Sequence, residues 1–283
     1  MIRSNADKYP VSAQCRILGV PKSTYYYLLA NPPLQKDIDP LVHEVIEAYE
    51  DNRRQYGARK IKHVLSRKGL NASRRRIARI MKQNGLVSAY TKKKYRPCVY
   101  KVNDADTPNI LNRVFDGYPP RSHLVSDLTY VRVGGNWNYI CLLIDLHNRE
   151  IVGHAAARHK GADLVKAAFA TLPFSLYDIE VFHSDRGSEF DNMAIDGIMS
   201  VFGIERSLSR RGNPHDNAVI ESTNRILKKE FIYQRAFVDL YDLQLQLNDY
   251  VHWYNTRRLH GTLDYLSPVE FREAGLVLEK KSS

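Results

Sequence analysis

No Asp or Glu occurs between Asn52 and Asn103, a stretch that carries 17 Lys or Arg. The whole chain has 42 basic and 31 acidic residues, so the rest of it is net acidic and the formal charge of +11 sits in this one block. Single-sign charge without counter-charge repels itself unless a polyanion neutralises it, which points to a polyanion-binding module joined to something else. Cysteine is also scarce. Cys15, Cys98 and Cys141 are odd in number and far apart, which argues against a disulfide framework and for free thiols in a reducing compartment. With no Cys-x-x-Cys pair, a zinc site of close-spaced thiolates is not expected. No run approaches the roughly 18 apolar residues of a membrane-spanning helix, and the start MIRSNADKYP lacks the apolar core of a secretory signal. There is no internal repeat or low-complexity tract. The chain has 283 residues, 43% hydrophobic and 26% charged, as in an ordinary globular protein of about two domains.

The first half reads as helices. Residues 11–28 suggest a helix-turn-helix outline, with Ser12 capping a first helix that runs to Leu18, Gly19 ending it, and Pro21 in the first turn of the second. Between Asp39 and Leu86, apolar residues recur at helical spacing: Leu41, Val45, Ile46 and Tyr49, then Ile61, Val64 and Leu65, then Ile77, Ile80 and Met81. Asn71 or Ser73 is placed to cap the last of these helices. Around its narrow apolar stripe, Arg74, Arg75, Arg76, Arg79 and Lys82 suit a DNA groove or backbone. Lys92, Lys93 and Lys94 follow in an aperiodic basic linker fit to track phosphates.

From Leu124 the texture changes to strands. Leu124–Val131, Trp137–Asp145 and Glu150–Ala156 read as a meander with a hairpin signal at Gly134-Gly135-Asn136. Ala162–Leu172 reads as a helix, Ile179–His183 as a strand, Asp191–Phe202 as a helix, Ile204–Leu208 as a strand, and Ala218 to about Tyr233 as a helix. The expected fold is a mixed α/β sheet with flanking helices, preceded by an all-α region.

Three acids stand where chemistry could be done: Asp127 in the first strand, Asp185 at the end of the fourth, and Glu221 one turn into the late helix. Clustered carboxylates are the donors that hard divalent ions prefer, and two such ions can activate one oxygen and stabilise another in phosphoryl transfer. Taken singly, Asp127 also fits an acid on the non-core face of an edge strand, Asp185 a turn-former, and Glu221 a complement to a helix start. Their spacing adds information. Asp185 and Glu221 enclose 35 residues, and Lys228 follows Glu221 by two helical turns. Glu221, Arg225 and Lys228 share one helical face, and Ile220, Leu227 and Phe231 another.

This pattern resembles the Asp-Asp-Glu signature of retroviral integrases and insertion-sequence transposases. Further segments resemble the second-frame protein of the IS-three insertion-sequence family: Asp127-Leu128-Thr129-Tyr130, His183 to Ser188, Ser209 to Asn213 with Asp216-Asn217-Ala218, and Tyr254 to His260 with Ser267-Pro268. Tyr56 to Ile61 is similar to that family's helical DNA-binding segment. The likeness spans roughly residues 40–272. It departs at Leu124, where the family usually has Trp, and at Glu189-Phe190, where Gln-Tyr is commoner; Glu189 thereby adds a negative charge near the site.

The resemblance implies a ribonuclease-H-like five-stranded core, with Asp127, Asp185 and Glu221 as catalytic residues and metal ligands. It implies Mg²⁺ or Mn²⁺, expected as two ions, and cleavage and strand transfer of transposon ends. The expected organisation is a short helical segment (1–38), a basic helical DNA-binding domain (39–90), a linker (91–118), the catalytic core (119–235) and a helical extension (236–283). Expected partners are double-stranded DNA, both terminal repeats and target, other copies of the chain on that DNA, and an upstream-frame protein or fusion; no membrane is expected. The expected location is the bacterial cytoplasm, at the nucleoid. The competing readings are a nuclease that cuts without joining and an inactive DNA-binding derivative. Asp145 and His183 are expected to be structural, Asn217 is a candidate for facing substrate, and Tyr254 to His260 fits packing and DNA contact equally.

Overall fold

The computed structural model describes residues 2–31, 39–91, 108–210 and 214–279. The chain falls into two compact units, Met1–His43 and Glu44–Ser283. In the first, α1 (Val11–Ile17) and α2 (Lys22–Ala30) are separated by Gly19, whose φ of +64° ends α1 as its sequence position suggested. Ser12 does not cap α1. Pro10 holds the N-cap position without a side-chain cap, and Ser12 lies inside the first turn. Pro21 likewise stands one residue earlier than expected, at the N-cap of α2. In both cases proline's fixed φ and missing N–H suit the residue at which a helix begins.

α3 (Val42–Asp51) begins at the boundary between the units. α4 (Ala58–Arg67) and α5 (Arg74–Gln83) then pack on each other through Ile61, Leu65, Ile77 and Ile80, all at most 1% exposed. Of the two candidate caps, Ser73 serves: its hydroxyl accepts the Arg76 N–H at 3.2 Å. Tyr56, at the head of the Tyr56 to Ile61 motif, is fully buried. Its hydroxyl accepts the Leu259 N–H at 2.8 Å and so ties these helices to the carboxy-terminal segment.

The sheet has five strands in the order β3-β2-β1-β4-β5. β1 (His123–Val133), β2 (Asn136–Asp145) and β3 (Ile151–Ala157) form the antiparallel meander, while β4 (Val181–Ser184) and β5 (Glu205–Leu208) join in parallel. Gly134 and Gly135 turn the first hairpin with φ of +52° and +88°, the paired positive values that tight hairpin loops require. β1 is therefore the central strand, and the edge-strand reading of Asp127 is corrected: both neighbours pair with β1, on opposite sides.

Every residue from Ile140 to Ile144 is fully buried, so both faces of β2 are covered. α6 (Ala162–Phe169) and α7 (Met193–Phe202) close a core around Leu124, Leu143, Phe182 and Phe190. α8 (Ala218–Glu230) packs on β1 and α9 (Leu240–Thr256) on β3. α10 (Pro268–Glu273) follows, opened by a Ser267–Glu270 capping box. α8 stops at Glu230, short of the predicted Tyr233, and a separate helical turn at Ile232–Gln234 follows. This is a ribonuclease-H-like mixed sheet with helices on both faces.

Candidate active site

Strand register brings the two aspartates together. In the parallel β1–β4 pair, Val125 lies opposite His183. Asp127 and Asp185 each stand two residues further on, at matching levels where the strands part, and both are half-buried. Burial raises the Asp127 carboxyl first, and repulsion from Asp185 raises it further, to about 7. Burial also raises Asp185, with the nearby Glu189 carboxylate adding to the shift. The turn-former reading of Asp185 holds as well: its Oδ1 accepts the Gly187 N–H at 3.0 Å.

α8 supplies the third side. Asn224 Nδ2 donates to Asp127 Oδ2 at 2.8 Å, and Glu221 lies one turn earlier on the same face. One turn later, Lys228 sets its Nζ 4.8 Å over the Tyr130 ring and acts electrostatically on Asp127. Arg225 is exposed. Ile220, Leu227 and Phe231 are fully buried, as the helical face predicted. Sequence reading missed Asn224, although its position three residues after Glu221 was a usable signal. It also missed Lys160, whose Nζ lies 3.6 Å from Glu189 Oε2, because nothing in the spacing ties residue 160 to the acids.

Three buried side-chain oxygens in the segments bearing this cluster lack a hydrogen-bond partner among the described residues: Asn217 Oδ1, Asn224 Oδ1 and Glu189 Oε2. Half-buried Asp127 and Asp185 repel each other, a setting that a hard divalent cation would relieve, while oxygens of Asp127, Asp185 and Glu221 do not all lie within 4.8 Å of one another. Asn217 is 5% exposed at the N-cap of α8 and makes no side-chain cap.

The remaining candidates are structural. His183 is fully buried between Ser207 Oγ at 2.8 Å and Ser209 Oγ at 3.1 Å, and burial lowers its pKa to about 4, so it is neutral. Asp145 accepts the Arg121 and His147 N–H groups at 2.8 and 2.9 Å. Tyr254, Arg258, Leu259 and His260 are all buried, which removes the DNA-contact reading for these four. Arg210 and Arg113 clamp the fully buried Asp216 at 2.8 and 2.9 Å, anchoring the entry to α8.

Arg74, Arg75, Arg79 and Lys82 of α5 are exposed, and Arg76 is half-buried. Arg74 and Arg75 line a shallow basic recess with Arg59 and Lys62. Lys92, Lys93 and Lys94 lie outside the described residues, as does Cys98.

Two segments match the integrase core domain, residues 118–214 and 202–268, and residues 36–94 match an HTH-like domain. InsK of insertion sequence element IS150 from Escherichia coli is 31% identical over 271 residues, 93% of this chain and 94% of that protein. The transposase for insertion sequence element IS904 from Lactococcus lactis is 28% identical over 86% of this chain and 97% of that protein. A chain of the simian T-cell lymphotropic virus intasome shares the fold, with a TM-score of 0.50 and 12% identity, over 78% of this chain and 74% of that one. With this coverage and identity, and with integrase-core and HTH-like segments in this order, the chain belongs to the insertion-sequence transposases of the IS-three family.

Proposed function

We propose that this transposase binds the ends of its element through the basic helices and cuts and joins DNA at Asp127, Asp185 and Glu221. The observation that carries this reading is the level placement of Asp127 and Asp185 on adjacent parallel strands, with α8 bonded to Asp127 through Asn224. Residues 39–90 are then the DNA-binding domain, 119–235 the catalytic core and 236–283 its extension. The three carboxylates would hold Mg²⁺ or Mn²⁺, taken here as two ions, which when bound supply Lewis acidity to phosphodiester oxygens. Asn224 fixes the Asp127 carboxylate by its hydrogen bond. Lys228, whose ammonium sits over the Tyr130 ring, is placed to meet a backbone phosphate from the same side, and exposed Arg225 extends that cationic strip. No protein nucleophile is required, because water attacks in cleavage and a freed 3′-hydroxyl in joining. Other copies on the DNA, a bacterial cytoplasmic site of action and an upstream-frame partner belong to the same proposal. Joining of oligonucleotide ends to plasmid tests it against a nuclease that only cuts.

DNA affinity is expected to fall steeply with salt, because each neutralised phosphate releases counterions. Replacing exposed Arg74, Arg75 and Arg79 with Ala should weaken binding and flatten the slope of log K against log salt by up to about 3. An unchanged slope in a titration by fluorescence anisotropy would move the DNA surface off α5.

The raised Asp127 carboxyl has a consequence for stability. Between the ordinary carboxylate value of 3.8 and about 7, the folded protein holds a proton that the unfolded chain releases. The stability of the metal-free protein should therefore fall as pH rises through that window. Asp127→Asn removes this term and should raise the melting temperature of the metal-free protein at pH 7.5 while removing activity. A lower melting temperature for the variant in scanning calorimetry would contradict the crowded-carboxylate account.

A further inference from the structure

A cavity of about 740 Å³ opens beside the tip of the β1–β2 hairpin. Among its lining residues are Asn136, Trp137, Asn138, Arg158, His159 and Lys160. Trp137 is 54% exposed, unusual for the largest side chain in a strand. Its ring is held in place: Tyr130 meets it edge-on at 5.2 Å, and the Arg132 guanidinium lies 5.6 Å from its centroid. Asn138 is 3% exposed, and its Oδ1 has no hydrogen-bond partner among the described residues, while its Nδ2 makes only a long 3.4 Å bond to the Asn136 carbonyl. Trp137 and Asn138 are successive residues of β2 and point to opposite faces of the sheet, so the Asn138 amide is a buried group of the other face. Arg158, His159 and Lys160 are exposed along one side. Asp239 also lines the cavity, its Oδ1 already accepting the Asp242 N–H at 2.8 Å.

We infer that this cavity binds an unpaired nucleotide of a DNA strand, with the base stacked on Trp137 and its phosphates held by Arg158 and Lys160. An exposed aromatic ring beside cations is the arrangement that binds single-stranded nucleic acid, because every base offers a face to stack and every residue a phosphate to pair. The volume suits a small ligand and is too small for a duplex. Two side-chain links join the cavity to the carboxylate cluster. Tyr130 meets both the Trp137 ring and the Lys228 ammonium, and Lys160 reaches Glu189, whose charge bears on Asp185. A strand end frayed at the site of cleavage has this cavity beside it.

The inference rests on the DNA reading above, and its test does not use catalysis. The full chain, in chelator so that no cutting occurs, is titrated with a blunt duplex and with the same duplex carrying three unpaired thymidines at one end. The wild type is expected to bind the tailed duplex about tenfold more tightly, the effect of roughly one stacked base. Its tryptophan emission should fall, since Trp137 is exposed and the second of the two tryptophans, Trp253, is 3% exposed. Trp137→Ala should lose the tenfold preference with blunt-duplex affinity unchanged, which also shows that the variant is folded. Trp137→Phe should keep part of it. Equal affinity of the wild type for both duplexes, or a preference that survives in Trp137→Ala, would overturn the proposal. Loss of plasmid joining with the tail preference intact would count against the proposed reaction and not against the cavity.

Discussion

Asp127→Asn, Asp185→Asn and Glu221→Gln are each expected to lower cleavage and joining by about 10³-fold or more while leaving DNA binding intact. The amide is nearly isosteric with the carboxylate, so packing changes little, but the charge that balances a divalent cation is lost. Asp127 is the most informative of the three. It sits on the central strand, bonded to Asn224 and raised by burial and Asp185, so its environment already disfavours an unbalanced negative charge. A doubly substituted protein should be no less active than the worse single variant, because each loss disables the same unit. The assay is supercoiled plasmid carrying the element ends, scored for cut and joined products. Near-normal joining by Glu221→Gln would remove that residue from the site.

Arg258→Ala is expected to destabilise the protein by about 3–5 kcal/mol, a fall in melting temperature on the order of 10 °C. Arg258 and Glu230 are 4% and 3% exposed and bond each other at 2.7 and 2.9 Å. Tyr250 donates its hydroxyl to Glu230 at 3.2 Å, and Tyr90 also bonds that carboxylate. Burial by itself would raise the Glu230 carboxyl, but the Arg258 guanidinium more than offsets it and leaves the group below its usual range. Removing Arg258 alone strands a buried charge. The double replacement Glu230→Met with Arg258→Met should recover much of the loss, because a matched apolar pair carries no desolvation cost. Thermal denaturation decides: a loss under 1 kcal/mol for Arg258→Ala would mean that the pair is hydrated. Since Glu230 is the last residue of α8, the pair also fixes the helix that carries Glu221 and Asn224.

The strands were legible because β1 to β3 are long and largely apolar, with a glycine turn between β1 and β2, and α8 because its charged and apolar faces keep strict helical spacing. What sequence could not give was the order of strands, and with it the central place of Asp127. Parallel pairing of β1 with β4 joins residues 58 apart, for example Val125 with His183, and no local pattern records that register. The same limit hid Lys160 beside Glu189 and the burial of Tyr254, Arg258 and His260; Arg258 looks like a surface group until Glu230 is seen to bond it. Capping at α1 failed for a local reason, since Pro10 set the helix start two residues before Ser12.

Crystals of the full chain grown with Mn²⁺ and diffracted at the manganese edge would test the central claim most directly. An anomalous peak about 2.0–2.3 Å from carboxylate oxygens of both Asp127 and Asp185, lost in the Asp185→Asn protein, is the expected result. Protein that joins DNA in Mn²⁺ yet shows no manganese at these two residues would contradict it.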